Sequence, residues 1–259
     1  MGIIGLGYLG FETTKLDEWR VYGPEVMGFQ IGRTPESDPE SLYFKTDDRR
    51  NRFAFHPGKI DRLNYIGWEA RGRLEFIAAV AKLRAAGVEL TVGDAALCET
   101  RGVKELIRFR DPVGYRHELF YGQKWTPQSF VAGRRHGGFV ADHRGHGPGR
   151  MGVQHVGLFV KSVRDVGETH DIVKQRKLPM MMELGQHTQD PHMSFYHFNA
   201  SGFAFETIVE LEPWHPDGFE LNPEKMSTWG HEVVGPILGP SVKTPEEVLD
   251  PEVLAALRR

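Results

Sequence analysis

Apolar positions recur with two alternating periods along this chain. A strand-like run around Tyr65 leads into "EARGRLEFIAAVAKLRAAG", where Leu74, Ile77, Val80, Ala81 and Leu83 recur at helical spacing until Gly87 stops the pattern. Two further strands follow in "VKELIRFRDPVGYRHELFYG", joined at Asp111-Pro112 and Gly114. The same order returns after Met151: the strand "GVQHVGLFV", then Ser162 as N-cap with Asp165 three residues on, a helix to about Lys177, and the strands of "HMSFYHFNASGFAFETIVE". An earlier copy runs through "GLGYLGFETTKLDEWRVYGPEVMGFQIG". Three βαβββ copies therefore account for most of the chain, which predicts an α+β fold of repeated half-barrel modules. The expected organisation is an N-terminal domain of two modules over 1–125, a glycine-rich linker over 126–150, and a C-terminal module with an extended tail over 151–259.

The copies agree in register. Tyr65 and Glu118 are 53 residues apart, His155 and Glu206 are 51 apart, and each glutamate follows its turn glycine, Gly114 or Gly202, by four residues. Tyr8 holds the place of Tyr65 and His155 in the first copy. One copy alone thus carries a metal-capable imidazole at this position. An inward histidine and glutamate are two of the three ligands of a facial triad that binds iron(II) and leaves sites open for substrate and oxygen. The structural alternative is a satisfied core histidine, with Glu206 as a strand-edge carboxylate paired to an arginine. Glu118 shows that a glutamate recurs here without a histidine partner.

Composition narrows the classes. At 259 residues with 40% hydrophobic content the chain can bury a real core without covalent staples. The 32 basic and 35 acidic residues give a net charge of -3, so nothing favours nucleic acid and a small-molecule partner is expected. Cys98 is the single cysteine, which excludes an internal disulfide and a cysteine zinc site and suits a reducing cytoplasm. No apolar run approaches the roughly 20 residues of a membrane span, and a cytoplasmic location is expected. The segment after Glu210, "PWHPDGFELNPEKMSTWGHE", is irregular and is expected to carry no function, and the last twenty residues read as a packing arm or short helix.

Several segments then point to one family. The runs "GLGYLGFETTKLDEWRVYG", "DRLNYIGWEA", "GDAALCETRGVKELIRFRDPVG", "HELFYG", "LGQHTQDPHMSFYHFNASGFAFE" and "STWGHE" are similar, in order, to segments of the type I extradiol ring-cleaving dioxygenases of the vicinal oxygen chelate superfamily, from about residue 3 to residue 232. The most specific piece is "LGQHTQDPHMSFY" followed by "SGFAFE". The resemblance implies oxidative cleavage of a substituted or bicyclic catechol by dioxygen at a non-haem Fe(II) centre, with Mn(II) as the alternative ion. It also implies His155 and Glu206 as metal ligands, His187 and Tyr196 as catalytic residues that hydrogen-bond substrate and oxygen, and Asp190 as a substrate contact. From the residues alone, His187 reads more simply as a solvated turn residue and Tyr196 as a half-buried strand aromatic.

The family has four modules and this chain three. Pro148 falls where the remaining metal histidine would align, so His146, or His143, is the candidate third ligand, or the ligand comes from another subunit. A lone half-barrel exposes its concave apolar face, which predicts a homo-oligomer. Two other functions compete with ring cleavage. One is a catalytically degenerate homologue that binds an aromatic ligand. The other is an isomerase or glyoxalase-type member of the superfamily, which has no reason to keep His187 and Tyr196.

Overall fold

The computed structural model describes residues 2–131, 153–212 and 225–240, and the backbone of 141–145. The first module runs β1 (Ile3–Thr13), α1 (Leu16–Tyr22), a π-helical turn (Gly23–Met27), β2 (Gln30–Ile31), β3 (Leu42–Lys45) and β4 (Phe53–Pro57). The second runs β5 (Arg62–Ala70), α2 (Arg73–Ala85), β6 (Thr91–Val92), α3 (Ala95–Arg101), β7 (Glu105–Arg110) and β8 (Arg116–Tyr121). After β9 (Ala141–Gly145) the third runs β10 (Val153–Phe159), α4 (Val163–Gln175), β11 (Met180–His187), β12 (His192–Phe198) and β13 (Ala204–Glu210), and β14 (Ser227–Gly230) closes it. An eight-stranded sheet in the order β2-β3-β4-β1-β5-β8-β7-β6 and a six-stranded sheet in the order β14-β11-β12-β13-β10-β9 result.

The repeat is visible in the pairing. In each module the first strand lies parallel to the last, β1 on β4, β5 on β8 and β10 on β13. The helical crossover between them makes that arrangement reachable. Modules one and two join through antiparallel β1 and β5, which set Tyr8 opposite Gly67 and Gly10 opposite Tyr65. Strand β9 does for β10 what β1 does for β5: it pairs antiparallel, with Asp142 opposite Gly157 and His143 opposite Val156. Residues 141–145, expected to be linker, thus cover the edge that a neighbouring module would cover, with no periodicity in the sequence to announce it.

Local chemistry sets the element ends. Ser162 Oγ accepts from the Asp165 amide and donates to Asp165 Oδ2, the capping arrangement expected there. Asp111 Oδ1 accepts from the amides of Val113 and Tyr115, which tightens the β7–β8 turn. The face assigned to α2 needs correction. Leu74 is 80% and Ile77 46% exposed, whereas Phe76 and Val80, one turn apart, are buried against Ile107 and Leu119. Phe76 falls between the residues chosen by spacing, and its larger side chain decides which stripe faces the sheet.

The back of module three packs on module one. Leu9, Phe11, Trp19, Phe29, Phe53 and Phe55 share one core with Val156, Leu158, Phe203 and Phe205, and the rings of Phe11 and Phe203 stack at 4.7 Å. Burying each such side chain is worth about 1.5–3 kcal/mol. Polar anchors fix the registry: Trp19 Nε1 donates to Ser201 Oγ at 2.8 Å, and the Tyr22 hydroxyl lies 2.6 Å from His197 Nε2. The opposite, concave face of β10–β13 is left for the site. Among the described residues no helix is long and apolar enough to cross a membrane.

Candidate active site

Strand alternation decides what enters the concave face. Val156 and Leu158 go to the core, so His155, next to Val156, turns the other way. Parallel pairing puts Gly157 opposite Glu206, and antiparallel pairing puts Tyr196 opposite Glu206. Three adjacent strands therefore deliver an imidazole, a carboxylate and a phenol to one spot. His155 Nε2 lies 3.4 Å from Glu206 Oε2, and the residues are 7% and 8% exposed. On the far side of that carboxylate the Tyr196 hydroxyl donates to Oε1 at 2.5 Å. His187, at the end of β11, brings Nε2 to 2.8 Å from the same hydroxyl, while its Nδ1 lies 3.3 Å from the Met226 carbonyl oxygen.

Donor counting orders this chain. The single Tyr196 proton is committed to Glu206, so the phenol oxygen can only accept from His187 Nε2–H. The Met226 carbonyl is likewise only an acceptor. Every contact is satisfied when both ring nitrogens of His187 carry hydrogen. Burial, followed by the adjacent Glu206, raises the Tyr196 pKa well above the ordinary tyrosine value and keeps it a phenol.

His155 and Glu206 suit a cation. With its ring proton on Nδ1, 3.3 Å from Gln154 Oε1, His155 turns the lone pair of Nε2 toward Glu206. Two donors 3.4 Å apart can both reach one ion at the ~2.0–2.2 Å typical of imidazole and carboxylate ligation. Among the described residues no group of three or more His, Cys, Asp or Glu side chains surrounds a common point. The expected third ligand, His146, lies outside the described residues. For His143 the described backbone gives a register opposite core-facing Val156, whereas Asp142 stands opposite Gly157.

The second module supplies an internal comparison. Glu118 stands opposite Gly67 as Glu206 stands opposite Gly157, and it is fully buried. There the Tyr8 hydroxyl donates to Glu118 at 2.6 Å, and the cation is the chain's own: Arg101 grips the carboxylate from Nε at 2.9 Å and Nη2 at 3.1 Å. Its guanidinium also stacks 3.7 Å over the ring of Tyr65, the residue in the place of His155. Arg101 lies on α3, and nothing in the local sequence marked it.

One cavity of about 420 Å³ is lined by His155, His187, Asp190, Tyr196 and Glu206 together with Gln154, Phe159, His192 and Met226. Five of the six expected site residues thus share it, and the sixth, His146, lies outside the described residues. His192 is an addition; its ring meets Phe159 edge-on at 4.9 Å and its Nδ1 lies 3.5 Å from Asp190 Oδ1. The segment after Glu210, expected to be irregular, also needs correction. It forms β14 against β11, and it brings both the Met226 carbonyl and the buried His231 to His187.

Residues 6–58 match the family model for the dihydroxybiphenyl dioxygenase BphC D1 domain, and residues 121–207 match that of the glyoxalase/bleomycin resistance protein/dioxygenase superfamily. A biphenyl-2,3-diol 1,2-dioxygenase of Sphingomonas paucimobilis is 30% identical over 264 aligned positions, which cover 80% of this chain and 88% of the relative. The chain belongs to the extradiol dioxygenases. An iron-dependent extradiol dioxygenase of Rhodococcus jostii is 28% identical over 90% of this chain and 98% of its own length. The crystal structure of a halotolerant catechol dioxygenase superposes with a TM-score of 0.82 at 28% identity, covering 94% of this chain and 99% of that one.

Proposed function

We propose that this extradiol dioxygenase opens a substituted or bicyclic catechol beside its hydroxyl-bearing carbons, incorporating both atoms of dioxygen, with Fe(II) held by His155 and Glu206. The observation that carries this reading is the convergence of His155 Nε2 and Glu206 Oε2 at 3.4 Å in the cavity that Tyr196 and His187 also line. Fe(II) held there by His155 and Glu206 would supply the Lewis-acid and redox chemistry that ring opening by dioxygen needs. The family relationship and the relative described as iron-dependent support this ion, and Mn(II) accepts the same donors.

The chain's own groups bind, orient and move protons. Glu206 uses Oε2 toward the ion and Oε1 to hold the Tyr196 phenol, so one carboxylate sets both metal and substrate donor. Tyr196, kept neutral, presents a directed hydroxyl to a catechol oxygen, and His187 offers the Nε2 proton to the developing oxygen anion. Asp190 at the cavity wall contacts substrate. Phe159, Met181, Met182 and Ile208 give the aromatic ring an apolar bed.

The third ligand is assigned to His146, or to another subunit of a cytoplasmic homo-oligomer in which a second half-barrel completes the cavity. The division into a two-module N-terminal domain and a catalytic module beyond residue 150 belongs to the same proposal. The presence of only two converging donors among the described residues favours one competitor, an aromatic-binding homologue without catalysis. Aerobic addition of 2,3-dihydroxybiphenyl to anaerobically purified, iron-loaded protein separates them. A yellow ring-opened product with oxygen uptake supports cleavage; tight binding of the diol with neither supports the competitor.

A further inference from the structure

His231 is a histidine on which the fold spends several unusual features, although it is buried behind the cavity wall at 3% exposure. Its backbone sits at φ 53°, a left-handed conformation that a non-glycine residue adopts only against steric resistance, and Gly230 before it is also left-handed at φ 61°. The facing strand yields to it. A Cβ at Gly185 of β11 would stand 2.3 Å from the His231 amide nitrogen and 2.6 Å from its Cγ, so only glycine lets the two backbones approach. Its ring nitrogens are both engaged. Nε2 lies 3.2 Å from both the Ser194 carbonyl oxygen, which can only accept, and the Ser194 hydroxyl, and a ring proton on Nε2 satisfies both. Nδ1, 3.1 Å from Ser227 Oγ, then accepts from that hydroxyl. Burial first, and the neighbouring His187 second, hold its pKa down at about 4, so the ring is neutral at ordinary pH.

What this fixed, uncharged ring touches is His187, with the two ring centroids 4.2 Å apart and the planes inclined at 48°. We propose that His231 is a positioning residue, whose locked imidazole backs the ring of His187 and holds its Nε2 on the Tyr196 hydroxyl. Met226 and Tyr196 hold His187 through its two ring nitrogens, and the His231 ring, just beyond β14, packs against the imidazole between those contacts. A charged neighbour at this distance would repel a doubly protonated His187; the neutral tautomer removes that penalty. The Ser227 hydroxyl, the left-handed Gly230 and His231 itself account for three positions of "STWGHE", which the catalytic assignments leave unused.

This inference rests on the reading of His187 as a proton donor in the cavity, and two measurements keep the two apart. The crystal structure of metal-free His231→Ala is expected to show the His187 ring turned out of hydrogen-bond reach of Tyr196; a ring left in place overturns the proposal whatever the enzyme does. In steady-state cleavage of 2,3-dihydroxybiphenyl, His231→Ala is expected to lower kcat on the order of ten- to a hundred-fold, with KM and iron content near wild type. Added to His187→Ala, the same change is expected to lower kcat no further, because its effect passes through that ring. A full additional loss in that background, or a wild-type kcat in the single variant, overturns it. His231→Gln, which keeps a donor for the Ser194 carbonyl, is expected to recover part of kcat and serves where the alanine variant does not fold. Failure of the wild-type protein to cleave any catechol counts against the functional reading, and the crystal structure still decides the role of His231.

Discussion

Arg101 grips Glu118 through two nitrogens at the register position that Glu206 holds in the third module. A buried carboxylate at this place requires a positive partner, because an isolated charge out of water is strongly unfavourable. The two modules meet the requirement differently. In the N-terminal sheet the chain supplies a guanidinium, and in the C-terminal sheet, where His155 takes the place of Tyr65, the proposed ion would be that partner.

Removing the built-in cation is expected to be severe. Arg101→Met leaves Glu118 buried without its counter-charge and is expected to destabilise the protein by about 3–5 kcal/mol in urea denaturation at neutral pH. Arg101→Met/Glu118→Met is expected to be more stable than the single variant. A loss below about 1 kcal/mol in the single variant would show that the pair is not what holds this sheet together.

Tyr196→Phe removes one hydroxyl and little volume. The lost contact is a hydrogen bond to a charged group, of the kind worth about 1.5–3 kcal/mol, so kcat/KM for catechol cleavage is expected to fall roughly ten- to a hundred-fold. Because burial and Glu206 keep the phenol protonated, the wild-type rate is expected to show no loss between pH 8 and about 10 from ionisation of this residue. Unchanged kcat/KM in Tyr196→Phe would remove Tyr196 from the reaction.

Stability is expected to fall with acid through a window set by buried histidine. His231 titrates at about 4 in the folded chain against 6.5 unfolded, so between these values the unfolded state binds more protons. The contribution is therefore complete above pH 6.5 and is lost as pH falls toward 4, amounting to at most about 3 kcal/mol. His56, also lowered by burial, acts in the same direction. Urea midpoints measured from pH 7 to 4.5 are expected to drop, and more shallowly in His231→Gln. Parallel curves for the two proteins would contradict the assignment.

Much of the fold was legible because its signals are short-range. The turn glycine four residues before Glu118 and Glu206 and the Ser162 cap act within one strand or turn. They fixed the repeat and, through it, the pairing of His155 with Glu206. Features that depend on distant partners were not legible. Strand β9 exists through its hydrogen bonds to β10, Arg101 reaches a carboxylate 17 residues on, and His231 matters because β14 folds back on β11. The buried face of α2 was misread for a related reason, since spacing allowed two stripes and the sheet beneath chose the one with Phe76.

The shared ion is tested most directly by metal content. Protein reconstituted with Fe(II) under anaerobic conditions and desalted is expected to retain about one iron per chain by elemental analysis, while His155→Ala and Glu206→Ala retain at least about ten-fold less. Equal iron in the wild type and both variants, or none in any of them, would contradict a metal held between His155 and Glu206.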